Sequence, residues 1–251
     1  MPDESFVANP QRSAPSKYRS FALPILAFDL LIIGLMMLRA IEREKSPMRY
    51  FGEAGIISWL SFLQLLVLAI LCFWIFRIRK RGISLKWKSP QSLWKWMAIS
   101  FFFLAIDDIA QIHESLDFGF HALFQIQENP ISDRIDDLIV LLYVMGGGYI
   151  LYLFRREFQY YRPAFKWVIG SFVLAGIMMV LDVCTNFDPE SNIEAFKIFF
   201  ADLESRRSLL FWLQAIEEGF KILSEGCFIA ATIICLQIAR QLNRQTPLRQ
   251  V

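Results

Sequence analysis

Six long apolar runs divide the chain, and short polar stretches separate them. A helix needs about 20 mostly apolar residues to cross a bilayer's hydrocarbon core. Spans are therefore predicted at Phe21–Ile41, Ile56–Phe76, Leu93–Glu114, Leu138–Phe154 and Lys166–Val183, with a sixth beginning near Leu209 and continuing to Leu242. The sixth run is too long for one crossing, so part of it is expected to emerge from the membrane. The second carries no charge at all. The first is longer than a signal-peptide core and has no small-x-small cleavage site close behind it, so it reads as a retained span. The predicted fold class is all-α: a polytopic membrane helix bundle of six transmembrane helices. Residues 1–20 form a polar tail expected to be mobile, residues 21–242 the membrane domain and residues 243–251 a second tail.

Orientation follows from Lys and Arg. The loop Arg77–Lys95 holds seven bases and no acid, and Arg155–Lys166 holds four bases and one acid. With six crossings, these loops and both tails fall on one side, which is assigned to the cytoplasm together with both termini. The short loops and compact plan suit a bacterial plasma membrane and also allow a thylakoid or organelle membrane. The outer loops are acidic. Ile193, Phe196, Phe200 and Leu203 recur at helical spacing in one of them, and Phe118, Phe120, Leu123 and Phe124 cluster in the other. Short amphipathic helices are expected there, lying flat in the headgroup region or capping the bundle.

Composition agrees. The chain is 55% hydrophobic and 20% charged, with a mean hydropathy of +0.41. That excludes a disordered chain and a small disulfide scaffold and argues against an ordinary soluble domain. The net charge of +2 hides an asymmetry: the predicted cytoplasmic segments hold 17 bases against 3 acids, and the rest 9 against 21. Cys72, Cys227 and Cys235 lie inside spans and Cys184 at the end of one. No CxxC occurs, so all four read as packing residues.

The informative residues are the ionisable ones inside spans, since a charge at the bilayer centre costs about 2.5–3.5 kcal/mol and marks a site by default. In the third span Asp107, Gln111 and Glu114 share one arc, Asp108 flanks it and His113 points away. In the sixth, Glu217, Lys221 and Ser224 share an arc, with Glu225 at its edge and Glu218 beside it. If Glu114 and Glu217 are level, Gln111 meets Lys221 and Asp107 meets Glu225. Asp182 enters from the fifth span, and Asp136 and Asp137 from the fourth. Asp29 is isolated in the first span and either joins this cluster or stands apart.

Two readings of the cluster stay open. It is an internal salt-bridge network in which Lys221 pairs with Glu217 and Glu225 at i,i+4. Alternatively, acids outnumbering bases bind a cation or a proton. The candidate ligands are Asp107, Asp108, His113, Glu114, Asp182, Glu217 and Glu225, with Gln111, Glu218, Lys221 and Asp137 as further polar members. Carboxylates suit a hard divalent cation such as Mg²⁺, Ca²⁺ or Mn²⁺. Catalytic zinc fits less well with only His113 and His121 in the chain. No Glu-x-x-His, P-loop, G-x-S-x-G or G-x-G-x-x-G occurs. The expected partner is the lipid bilayer. A small ion or lipid-derived ligand and an oligomer are compatible, and nothing calls for nucleic acid.

Asp107-Asp108-x4-His113-Glu114, followed by Glu217-Glu218-x2-Lys221, resembles a pattern in uncharacterised bacterial multi-pass membrane proteins, D-[DE]-x4-H-E in one span and E-E-x2-[KE] in a late one. The resemblance implies a multi-pass inner-membrane protein and makes the two segments look like parts of one site. Three functions follow as expectations: a cation-binding transport or channel-like protein, a metal-dependent membrane hydrolase facing the periplasm, or a non-catalytic assembly or sensor protein. Gly146-Gly147-Gly148 predicts close helix packing or a hinge. Trp87, Trp94, Trp96 and Trp167 are expected in an inner interfacial belt.

Overall fold

The computed structural model describes residues 16–43, 46–52, 55–80, 89–112, 115–116, 119, 123, 135–185 and 203–245. All elements among them are helical: α1 Ser16–Glu42, α2 Met48–Phe51, α3 Ile56–Arg79, α4 Ser92–Ala110, α5 Ile135–Leu153, α6 Arg155–Phe158, a 3₁₀ segment Gln159–Ala164, α7 Phe165–Thr185 and α8 Leu203–Gln245. The tail before Ser16 and most of the outer-loop positions expected to form amphipathic helices lie outside the described residues.

The six long helices fall where apolar runs predict them. Among the described residues, four stretches are long and apolar enough to cross a membrane: Ala22–Glu42, Met48–Arg79, Arg155–Asp182 and Ser208–Arg244. The described part of the chain is thus all-helical and compatible with membrane insertion. Helix α5 contributes the shorter apolar stretch Leu141–Leu153, and α4 carries Lys95, Asp107 and Asp108 within nineteen residues.

Helix α8 is the axis of the bundle and packs on α1, α2, α3 and α7. At 1.5 Å per residue it is about 64 Å long, twice the hydrocarbon thickness, so it does extend beyond a single crossing. Its register with α4 is antiparallel. Asp108 meets Lys221 at 2.5 Å, and seven residues further along each helix Phe101 meets Phe228 edge-on at 5.7 Å. Ser61 of α3 bonds Glu225, while Cys72 and Cys235 share one buried cluster, so α3 runs parallel to α8. That cluster also holds Leu68, Ile75, Leu93, Ala98, Tyr161, Ile234 and Ala239. The outward faces remain apolar: Leu23, Trp59, Trp74, Phe102 and Val180 are more than half exposed. An apolar perimeter of this extent around a packed interior is the distribution a lipid solvent favours.

The end of the bundle formed by α6 and the 3₁₀ segment is pinned by a charged pair. Arg79 donates through Nε and Nη2 to Glu157 Oε1 and Oε2, at 2.7 and 3.0 Å. Tyr161 donates its hydroxyl to Glu157 Oε1 at 3.2 Å, and the indole of Trp94 packs edge-on against Tyr161 at 5.0 Å. The C-terminal end of α3 and the segment before α7 therefore meet at one end. Trp94 is 4% exposed and packs into the core against Tyr161. Among the described residues, nothing packs closely on the triple glycine. Helix α5 runs through it unbroken, and a Cβ built on Gly146, Gly147 or Gly148 would meet nothing within 4 Å.

Candidate functional site: an acid-lined cavity

Polar residues from five helices face a cavity of about 440 Å³ at the other end of the bundle. Helix α4 delivers Asp107 and Asp108, α7 delivers Asp182, and α8 delivers Glu217, Glu218, Lys221, Ser224 and Glu225. Ser58 of α3, Tyr143 of α5, Gln214 of α8 and Gln111 just beyond α4 complete the polar part. Phe101, Leu104, Phe228, Leu65 and Phe51 supply apolar wall. On α8 the lining positions 214, 217, 218, 221, 224, 225 and 228 form one helical face.

Lys221, Glu217 and Glu225 are each held from a different helix. Lys221 Nζ donates to Asp108 Oδ1 and lies 3.7 Å from Glu218 Oε2. Thr185 donates to Glu217 Oε2 at 3.1 Å, tying α7 to α8. Ser61 donates to Glu225 Oε1 at 2.8 Å. Glu225 is only 7% exposed, and its Oε2 has no hydrogen-bond partner. Ser171 donates to the Ser224 carbonyl at 2.7 Å. Among the described residues, no three His, Cys, Asp or Glu side chains form a set able to hold a metal ion. The carboxylates ring a space instead of converging on a point.

The sequence-predicted members are placed as follows. Asp107, Asp108, Gln111, Asp182, Glu217, Glu218, Lys221 and Glu225 all line the cavity. His113 and Glu114 lie outside the described residues, as does the side chain of Asp137. Helix α4 ends at Ala110, so Asp107 and Gln111 do not share one continuous helical arc, and the place of Glu114 lies outside the described residues. Gln111 adopts a left-handed conformation (φ 50°, ψ 48°), donating its N–H to the Asp107 carbonyl at 2.7 Å. A left-handed non-glycine residue costs roughly 1–2 kcal/mol, and such strain collects at functional walls. The register also shifts by three residues, about 4.5 Å. Lys221 meets Asp108 rather than Gln111, since an ammonium is better answered by a carboxylate than by an amide. The i,i+4 pairs expected for Lys221 give way to this cross-helix pair and to Glu218 at i,i+3.

Asp29 is fully buried but does not line the cavity. Its Oδ1 accepts from Gln64 Nε2 at 2.7 Å, and its Oδ2 has no hydrogen-bond partner. Ser61 and Gln64 were missed by treating the second span as uniformly apolar. Their signal was Ser58, Ser61 and Gln64 at three-residue spacing, one polar stripe on an otherwise apolar helix. Tyr143 gave no comparable signal.

Residues 23–236 match the family model described as Domain of unknown function (DUF8692). The chain belongs to the DUF8692 family. No curated protein and no solved structure matches it. The match covers α1 through most of α8, so every described residue of the cavity lies inside the DUF8692 region.

Lys221 offers a direct check on the cavity's electrostatics. Lys221→Met strands Asp108 without its cation. Breaking a buried pair costs about 3–5 kcal/mol, and with a quarter of the Lys221 side chain exposed about 2 kcal/mol is expected here. Adding Asp108→Asn restores part of that loss. Thermal unfolding of the two variants in detergent measures it, and a double variant no more stable than the single one contradicts the pairing.

Proposed function

We propose that this DUF8692 protein is a six-span membrane protein that binds a cation in the acid-lined cavity, in a transport or channel-like role. The observation carrying the proposal is Glu225. The residue lines a cavity of about 440 Å³, and its Oε2 is buried with no hydrogen-bond donor, in a wall with many carboxylates and one lysine. A cation entering that space answers the uncompensated Glu225 carboxylate, whereas an anion meets net negative charge. A metal-dependent hydrolase draws no support, since no three-ligand set forms among the described residues.

The topology within this proposal has both tails and both basic loops on the cytoplasmic side of a bacterial plasma membrane. The Arg79–Glu157 pair supports it by joining the end of α3 to α6. Helix α1 supports it as well. Asp29 sits against Gly226 and Ile33 against Gly219, so α1 is antiparallel to α8 and starts at the end where α8 finishes. Helices α4 and α5, at 19 residues and about 28 Å each, nearly match the hydrocarbon thickness.

Thermal unfolding of the purified protein against a panel of inorganic and organic cations at constant ionic strength tests the reading. A ligand at about 100 times its Kd stabilises by ~2.7 kcal/mol, a rise of several degrees in Tm for a chain of this size. Glu225→Gln should abolish most of that rise. If no cation of either kind moves Tm, or if the shift persists unchanged in Glu225→Gln, the cavity is structural.

A further inference from the structure

We infer that the cavity takes a small organic cation, an ammonium group carrying an apolar body, rather than a bare metal ion. The inference rests on the cation-binding reading of the same cavity and narrows it. Three observations carry it.

The first is size. A cavity of about 440 Å³ falls in the range of pockets that hold small organic molecules, roughly 300–1,000 Å³. A metal ion would leave nearly all of it to water. The second is how the carboxylates are arranged. No three of the described acids come together as a metal set. Ser61, Thr185 and Lys221 instead pull Glu225, Glu217 and Asp108 toward separate helices. Spread acids suit an alkylammonium head, whose three N–H groups donate in several directions, and not the tight oxygen shell of Mg²⁺ or Ca²⁺.

The third is the combination of acid and aromatic surface on one helix face. Phe228 lies three residues beyond Glu225 and also lines the cavity. Its ring is fixed edge-on by Phe101 at 5.7 Å and by Phe172 at 5.4 Å. An ammonium against the Glu225 carboxylate would hold its carbon chain against Phe228, Phe101 and Leu104. The charge answers the carboxylate, and the chain displaces water from apolar wall. A lipid tail alone would cover the wall and leave the Glu225 charge with the Ser61 hydroxyl on Oε1 and no donor on Oε2.

The test uses the full chain in phosphatidylcholine nanodiscs. Tm is followed against n-butylammonium, n-butanol, Na⁺ and Mg²⁺, all at one ionic strength. Butylammonium is expected to raise Tm saturably by about 5 °C, with butanol, Na⁺ and Mg²⁺ giving less than about 1 °C. Glu225→Gln should remove the butylammonium shift, and Phe228→Ala should weaken apparent affinity by roughly tenfold. If Glu225→Gln does not fold, Asp107→Asn supplies the carboxylate arm. An equal response to butanol overturns the inference in favour of apolar filling. A response to Na⁺ or Mg²⁺ without one to butylammonium overturns it while the cation-binding reading stands. No response to any cation ends both.

Discussion

Arg79→Ala should be among the most destabilising single substitutions in this protein, costing about 3–5 kcal/mol. Glu157 is 1% exposed, and both of its oxygens are bound by the Arg79 guanidinium. Among the described residues, removing the guanidinium leaves this buried carboxylate with the Tyr161 hydroxyl at 3.2 Å as its side-chain donor. The effect spreads because Tyr161 is fully buried and supports Trp94, so the end of α3, the start of α4 and the 3₁₀ segment loosen together. In a chain of this length the loss corresponds to a Tm drop of about 10 °C. The neighbouring Lys80→Ala, on an exposed side chain, should stay within about 0.5 kcal/mol. Arg79→Met combined with Glu157→Leu should lose much less than Arg79→Ala alone, because replacing a whole buried pair by apolar groups is often near neutral. Thermal unfolding of the four proteins decides it. An Arg79→Ala variant as stable as Lys80→Ala would mean that the pair is ornamental.

That pair also marks where the sequence was hard to read. Arg79 is one of seven bases in a loop whose composition already had an explanation in membrane topology. A charge with one sufficient cause gives no hint of a second. The available hint was Glu157, the lone acid in the other basic loop. The six apolar runs were legible because helix length and hydrophobic period are local properties. The cavity's acids were legible because a carboxylate in an apolar run is rare. Their partners were not, because Ser61, Thr185 and Ser171 are small and inexpensive in any helix and acquire meaning only once two helices are set side by side. The same holds for register. The choice of Lys221 between Gln111 and Asp108 depends on where α4 stops, and the left-handed turn at Gln111 has no glycine or proline to announce it.

Gly226→Ala is the second large effect, and here helix propensity and packing predict opposite signs. In a helix interior alanine is better than glycine by about 1 kcal/mol. Gly219→Ala should show that benefit or be neutral, since its new Cβ would meet Ile33 at 3.6 Å, an ordinary contact. At Gly226 the new Cβ would lie 2.0 Å from Asp29 Oδ2 and 3.3 Å from its Cγ. The carboxyl must then move, and it is already 0% exposed with α8 against it. Moving it breaks the 2.7 Å bond from Gln64 and leaves two buried polar groups unanswered, at about 1–3 kcal/mol, on top of about 1–3 kcal/mol for overpacking. A net loss of about 3 kcal/mol is expected. Asp29→Ala removes the obstacle, so Gly226→Ala should cost far less in that background. The coupling energy from the four-protein cycle should reach about 2 kcal/mol, well above the few tenths found for independent sites. Additive losses would mean that α1 does not close on α8 at this glycine, and the antiparallel placement of α1 would have to be redrawn.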